Sequence, residues 1–219
     1  MNNFDWGPVT EEGQRLLTKE IFDNHIYEKY DEVRVGDIIL DLGATTGDFV
    51  YSILGKNPLH VYALEPSTQT FPFLVKNTRG FPVTPINKAI SNEDVDIICY
   101  GICHSDSRIV SGITFQTLIN LYSLDHIDFL KTDCEGGEYS VFTKENFDYI
   151  YNHVGAISGE WHLSTPLLKK RFREFRDRFL PHFNYQISDI GGTDIKDGLM
   201  TNEFINYYNE IFIYIRRER

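Results

Sequence analysis

Cysteine, positive charge and long apolar runs are all scarce in this sequence, and each scarcity removes a class of function. There are three cysteines, Cys99, Cys103 and Cys134, in 219 residues. So sparse and odd a set excludes a disulfide framework. Cys99, Cys103 and His104 lie close together, but no second pair of ligands follows at zinc spacing, so no metal is assigned to them. Cys134 stands among acidic residues, which disfavours its thiolate and nucleophilic catalysis. Lys and Arg number 21 against 32 Asp and Glu, a formal net charge of -11. A phosphate backbone would be repelled, and no nucleic-acid partner is expected. The basic run Lys169, Lys170, Arg171, Arg173, Arg176 and Arg178 reads as the solvated face of a helix. No stretch reaches the roughly 18 uninterrupted apolar residues of a membrane span. Met1 to Thr10 lacks a basic-then-apolar run, so no secretory signal is expected and the expected location is cytoplasmic.

What is present is a 42% hydrophobic, 14% aromatic composition, enough for one sizeable core. Neither a repeat nor a Pro/Gly/Ser linker divides the chain. One domain is expected, with a helical lead-in over 1–30 and a core over 31–219. Apolar residues from Glu11 to Tyr30 recur near a helical period. Buried strands are expected at Asp37–Leu42, Leu59–Leu64, Pro82–Ile86, Asp96–Tyr100, Ile127–Thr132, Val154–Trp161, Tyr185–Ile190 and Ile211–Ile215. Helices are expected at Gly47–Leu54, Ser67–Asn77, Phe115–Tyr122 and Pro166–Phe179. Such alternation implies an α/β fold, a mostly parallel sheet with helices on both faces. Less regular late connections leave room for an antiparallel strand near the carboxyl end. Ligands of such sheets bind beyond the carboxyl ends of the strands, so motifs matter most there.

Two motifs lie there. Asp41-Leu42-Gly43-Ala44-Thr45-Thr46-Gly47-Asp48 follows the first strand. Gly43 and Gly47 permit a sharp turn and close backbone approach, and the helix start beyond offers free N–H groups to a carboxylate or phosphate. The spacing is not that of a dinucleotide fingerprint. Asp41 would oppose a pyrophosphate but suit an ammonium. S-adenosylmethionine carries both an ammonium and a carboxylate and matches both ends of the loop. The second motif is Glu65-Pro66 after the second strand, 22 residues beyond Gly43. Its carboxylate can accept from both ribose hydroxyls, and Pro66 can pack on an adenine face.

Together with Asn87-Lys88-Ala89-Ile90-Ser91 and the stretch Asp128-Phe129-Leu130-Lys131-Thr132-Asp133-Cys134-Glu135-Gly136-Gly137-Glu138, these motifs resemble the FkbM-type methyltransferases, in order, from about Tyr30 to Leu163. The resemblance implies a Rossmann-like class I methyltransferase with a seven-stranded sheet that uses S-adenosyl-L-methionine. It places Asp41, Gly43 and Gly47, with the intervening Ala44 and Thr45 and the following Asp48, at the methionine part of the cofactor. Glu65 and Pro66 fall at the ribose and adenine, Asn87, Lys88 and Ala89 along the adenine. It also implies O-methylation of a hydroxyl on a sugar or other small molecule. One departure stands out. Many relatives have Leu-Asp after the position of Thr114, where this chain has Phe115-Gln116.

Methyl transfer to an alcohol gains from positioning and from a base. Lys131 and Asp133 share a side of an extended strand, so Lys131 is expected to orient Asp133 at the transfer centre. Asp133 would then border both cofactor and acceptor. Glu135 is a further candidate, and Glu138 is expected to cap the next helix. After the following strand, Glu160 and His162 share a side with Trp161 opposite, and His162 is a candidate base near neutral pH. Asp133, Glu160 and His162 could also group around a divalent metal, but their spacing does not establish one and none is assigned. Two alternatives stand beside this reading, a nucleotide-dependent oxidoreductase and a cofactor-binding module without catalysis. The identity of the small-molecule acceptor and the oligomeric state are not written in the sequence.

Overall fold

A computed structural model describes residues 4–101, 104–198 and 201–216. The chain begins with α1 (Glu11–Leu17), capped by Thr10, whose hydroxyl accepts from the Gly13 N–H. The expected single helix to Tyr30 does not form. A wider π turn (Thr18–Asp23) follows α1, His25 takes a left-handed φ of 48°, and a 3-10 turn (Ile26–Glu28) completes the segment. The break rotates Ile21, Ile26 and Tyr27 together into the core, which one straight helix would not do.

Strand-helix alternation then builds the sheet. β1 (Ile38–Leu42) leads through the glycine turn into α2 (Asp48–Ile53) and β2 (His60–Leu64). α3 (Phe71–Asn77) and β3 (Val83–Ile86) follow. α3 starts later than expected because the Ser67 N–H and the Thr70 hydroxyl both bond to the Glu65 carboxylate and hold the chain in turns. A small separate sheet comes next: β4 (Ala89–Ile90), β5 (Asp96–Gly101) and β6 (His104–Ile113), in the order β4-β6-β5. The strand expected at Asp96–Tyr100 thus belongs outside the main sheet. The side chains of Cys99, Cys103 and His104 lie outside the described residues.

After α4 (Phe115–Leu121) the chain returns through β7 (Ile127–Thr132), α5 (Glu138–Val141), α6 (Phe147–His153) and β8 (Val154–His162). It ends with α7 (Pro166–Arg178), β9 (Asn184–Ser188), α8 (Asn202–Ile205) and β10 (Glu210–Arg216). The main sheet has seven strands in the order β3-β2-β1-β7-β8-β10-β9. Its strands pair in parallel from β3 to β8, and β10 runs antiparallel to both β8 and β9. This is the seven-stranded, mostly parallel Rossmann-like architecture expected from the sequence. No helix among the described residues is long and apolar enough to cross a membrane.

Strand alternation divides the core into two layers. Leu40, Leu42, Leu130, Ile157 and Trp161 face one side. Ile39, Phe129, Ala156 and Phe212 face the other, where the lead-in and α2 cover them. Asp41 and Lys131, register partners on β1 and β7, share the parity of Ile39 and Phe129. So do Glu160 and His162 with Ala156. Polar residues at the strand ends therefore gather on the lead-in side. α7 is not simply a solvated basic face: Arg176 is buried with Phe172 and Phe175.

The order reverses between β1 and β7, which opens a crevice at their carboxyl ends. There the β1 loop lies directly against the β7 loop. Gly43 has φ 84°, and a Cβ on it would collide with the Asp133 carbonyl oxygen. Gly43→Ala should therefore cost about 1–3 kcal/mol of unfolding free energy, the scale of a strained backbone position. Gly55→Ala, where a Cβ meets nothing within 4 Å, should stay within about 0.5 kcal/mol of the parent. Urea titration of both variants checks this, and equal stabilities would show that the two loops do not need this close approach.

Candidate active site

A cleft of about 820 Å³ lies over the carboxyl ends of β1, β2 and β7. Of the residues singled out in the sequence, Gly43, Thr45, Asp48, Glu65, Pro66, Lys88, Ala89, Lys131, Asp133, Glu135 and Glu160 line it. Asp41, Ala44, Gly47 and His162 are buried behind the lining, and Asn87 is exposed outside it. The lead-in, read only as helix and core, supplies a wall through Leu17, Glu20, Ile21 and Tyr27. The β5–β6 hairpin adds Ile97, Ile98 and Val110. Arg171 of α7 also reaches the cleft.

Behind the lining sits a buried ion pair. Lys131 Nζ lies 3.1 Å from Asp41 Oδ1 and donates to the Gly43 carbonyl at 2.6 Å. It is 3.9 Å from Asp133 Oδ2 and 5.1 Å from the centre of the Tyr27 ring. Lys131 thus meets Asp41 more closely than Asp133, with which the expected pairing is present but longer. Asp133 Oδ2 is instead held by the Tyr27 hydroxyl, which donates at 2.7 Å. Nothing in the spacing of the sequence joins residues 27 and 133. Asp41 is fully buried, so it does not present its carboxylate to a ligand as expected. Burial raises its carboxyl pKa, against the pull of Lys131.

The helix start is not the expected bare anion site either. α2 is short, and Asp48 Oδ1 already accepts from the Phe49 N–H at 2.7 Å. Asp48 Oδ2 is buried without a hydrogen-bond partner among the described residues. Burial pushes the Asp48 carboxyl up to about 7, with Lys131 and the Phe49 N–H acting against it. Glu65 is largely occupied by its own loops. Oε1 accepts from Ser67 N–H and the Thr70 hydroxyl, both at 2.8 Å, and Oε2 from Thr45 N–H at 2.9 Å. A carboxylate has about four acceptor positions, so one remains, fewer than two ribose hydroxyls would use. Burial pushes Glu65 up to about 7 despite these bonds. Asn87 bonds to the carbonyls of Glu65 and Pro66, which ties the β3 end to the β2 loop and turns its side chain away from the cleft. Lys88 donates to the Ser111 hydroxyl.

At the ends of β7 and β8 the carboxylates converge on His162. Its Nδ1 lies 2.7 Å from Glu138 Oε1, and its Nε2 lies 3.5 Å from Glu135, 3.5 Å from Glu160 and 3.9 Å from Asp133. Glu138 is the first residue of α5, but its fully buried carboxylate accepts from the Cys134 N–H and fixes the imidazole rather than making the expected cap. Burial alone would lower the His162 pKa, but the Glu138 bond and the neighbouring acids raise it to about 10. So held, the ring is favoured in its charged form. Burial, reinforced by Asp133, pushes Glu160 up to about 9. Burial pushes the Cys134 thiol up as well, which agrees with its expected inertness. Asp94 accepts from the Thr114 N–H and the Thr117 hydroxyl at the start of α4.

Thr45 and Glu135 hold left-handed backbone, φ 50° and 56°. Such non-glycine strain tends to gather at functional sites, and both border this cleft.

The model of the FkbM methyltransferase domain matches residues 59–187. The chain belongs to this methyltransferase family. The match starts past the first glycine turn and extends beyond Leu163, where the sequence motifs fade. Solved structures agree in fold. The fibrillarin/Nop5p complex aligns at 15% identity and TM-score 0.55, over 93% of this chain and 83% of that one. An rRNA methylase from Streptococcus thermophilus aligns at 10% and 0.52, over 85% and 90%. A Streptococcus mutans protein in complex with SAH aligns at 10% and 0.51, over 85% and 91%. At these identities the likeness is one of fold. No curated protein matched the sequence.

The Lys131 ion pair is the site's structural anchor and can be tested as such. Lys131→Met leaves Asp41 buried and unpaired, and should cost about 3–5 kcal/mol. The double variant Asp41→Asn/Lys131→Met should recover much of that loss. Chemical denaturation of the double-mutant cycle measures the coupling. Additive effects would mean the two charges are held independently.

Proposed function

We propose that this FkbM methyltransferase is S-adenosylmethionine-dependent and methylates a hydroxyl oxygen on a small molecule such as a sugar, residues 1–219 acting as one domain. The observation that carries the reading is the charge of the cleft. Glu20, Asp48, Glu65, Asp133, Glu135, Glu160 and Glu210 line it against Lys88, Lys131 and Arg171. A ligand with a sulfonium and an ammonium suits such a surface, and a dinucleotide pyrophosphate does not. The unpartnered, buried oxygen of Asp48 supports the same choice.

On this reading Gly43, Thr45 and Asp48 hold the amino-acid end. Glu65 and Pro66 hold the ribose, and Lys88 and Ala89 border the base. Asp41, Ala44, Gly47 and Asn87 act indirectly by shaping the two loops. When bound, S-adenosylmethionine supplies an electrophilic methyl group. Asp133, Glu135 and Glu160 face the acceptor side, where a carboxylate can orient a hydroxyl and take its proton. Lys131, through Asp41 and the Gly43 carbonyl, keeps the two loops in register. Neighbouring hydroxyls of a sugar would find acceptors on the same acids. The net charge of -11 and the acidic lining favour such an acceptor over a nucleic acid.

Calorimetry should register S-adenosylmethionine and not NAD. The sign of the pH dependence follows from two raised carboxyls. Asp48 and Glu65 lose their protons near 7, so affinity for the cationic ligand should rise with pH through that region. Lys131, Asp41 and Asp133 face Asp48 and share its field. Asp48→Asn should remove part of the rise, and Asp48→Asn/Glu65→Gln nearly all of it. Glu65→Ala should weaken binding by about 1.5–3 kcal/mol. NAD binding with no response to S-adenosylmethionine would overturn the reading. A hydroxyl-compound screen with methyl-transfer detection then tests the acceptor class.

A further inference from the structure

The cluster around His162 does more than crowd acids together. Asp133 at the end of β7 and Glu160 and His162 at the end of β8 each offer one ligand atom, all within 4.8 Å of one another. Ligands about 2.1 Å from a common ion lie at most about 4.2 Å apart, so small side-chain shifts close the set. Two of the three are also aimed by a partner outside the set. Glu138 Oε1 holds His162 Nδ1 at 2.7 Å, which directs Nε2 at the carboxylates. Tyr27 holds Asp133 Oδ2 at 2.7 Å and leaves Oδ1 toward the ring. A carboxylate that fixes the far nitrogen of an imidazole is the usual support of a metal-bound histidine.

The imidazole is an independent sign of a missing partner. His162 is only 6% exposed. Its Nε2 stands 3.5–3.9 Å from three acids, longer than the roughly 2.7–2.9 Å of a charge-assisted bond. Among the described residues, the basic groups nearest these carboxylates, Lys131 and the His162 Nε2, stand 3.5–3.9 Å from them. Lys131, the nearest ammonium to Asp133, spends its short contacts on Asp41 and the Gly43 carbonyl.

We propose that Asp133, Glu160 and His162 form a binding site for one divalent cation of the Mn²⁺ type, with Glu138 and Tyr27 as positioning residues. Two carboxylates and one imidazole form a mixed oxygen–nitrogen set suited to such an ion. The ion takes the place of the Nε2 proton. Asp133 and Glu160 line the cleft, so the ion borders the space assigned to the acceptor. Its use there, to hold and acidify an acceptor hydroxyl, rests on the methyl-transfer reading, whereas its binding does not.

The test is direct binding of MnCl₂ to chelator-stripped protein, followed by loss of the free-ion electron paramagnetic resonance signal with no cofactor added. One Mn²⁺ per chain is expected. Glu160→Gln and His162→Ala should each weaken it at least tenfold, and Glu138→Gln about 10–100-fold. Glu93→Gln, an exposed cleft acid outside the set, should leave the affinity within about twofold. Melting temperatures establish that each variant is folded, and Glu160→Gln, which keeps size and shape, carries the test should His162→Ala unfold. Absence of saturable binding overturns the site. So does affinity unchanged in Glu160→Gln, or lowered equally by Glu93→Gln, since diffuse charge would then be the attraction. A parallel titration with S-adenosylmethionine in chelator separates the two proposals. Mn²⁺ binding without cofactor binding removes the methyl donor and leaves the metal site standing, and the converse does the reverse.

Discussion

A single ammonium, that of Lys131, sits where the sheet reverses its order and connects the groups on which the rest of the site depends. It lies between Asp41 of β1 and Asp133 beyond β7, and it donates to the Gly43 carbonyl. Burying a charge without a partner is strongly unfavourable, so the pair must stay together. That requirement holds the neighbouring strands in register at their carboxyl ends. Gly43 adds a steric condition, because only a residue without Cβ fits beneath the Asp133 carbonyl. The two conditions fix the relative position of the glycine turn and the acidic loop. The cleft is the space left above them.

Around that anchor the site gathers carboxyl groups whose charged forms burial disfavours. Asp48 and Glu65 are pushed up to about 7 and Glu160 to about 9, burial being the first cause in each. Protein groups satisfy some of these acids and leave others. Three donors occupy Glu65, while one oxygen of Asp48 has none. Unbalanced carboxylates in a partly closed cleft favour cationic ligands over anionic ones. The same electrostatics count against a dinucleotide, whose pyrophosphate would meet Asp48 at the helix start.

Several of the strongest contacts cross long stretches of sequence. Tyr27 reaches Asp133, and Glu138 reaches His162. The lead-in is therefore part of the site rather than an appendage. Its π turn and the left-handed His25 turn Tyr27 inward, where its ring packs on Phe49 and Phe212 and its hydroxyl meets Asp133.

The sequence by itself determined the fold class and the address of the site. Apolar runs alternating with helical patterns imply a covered parallel sheet, and the strand at Ile127–Thr132 has the same bounds in the structure. Strand parity put Glu160 and His162 on one side and Trp161 on the other, as the two core layers confirm. These features are local, set by period and by glycine conformation. Only the tertiary structure decided which charge meets which. Lys131 and Asp133 are two residues apart, yet the lysine bonds most closely to Asp41 because β1 and β7 are neighbours in register. Asp41 looked available to a ligand and is sealed by that contact. Glu138 looked like a helix cap and instead grips an imidazole 24 residues away. Strand order, not spacing along the chain, sets these distances, and Coulomb energies depend on distance and burial.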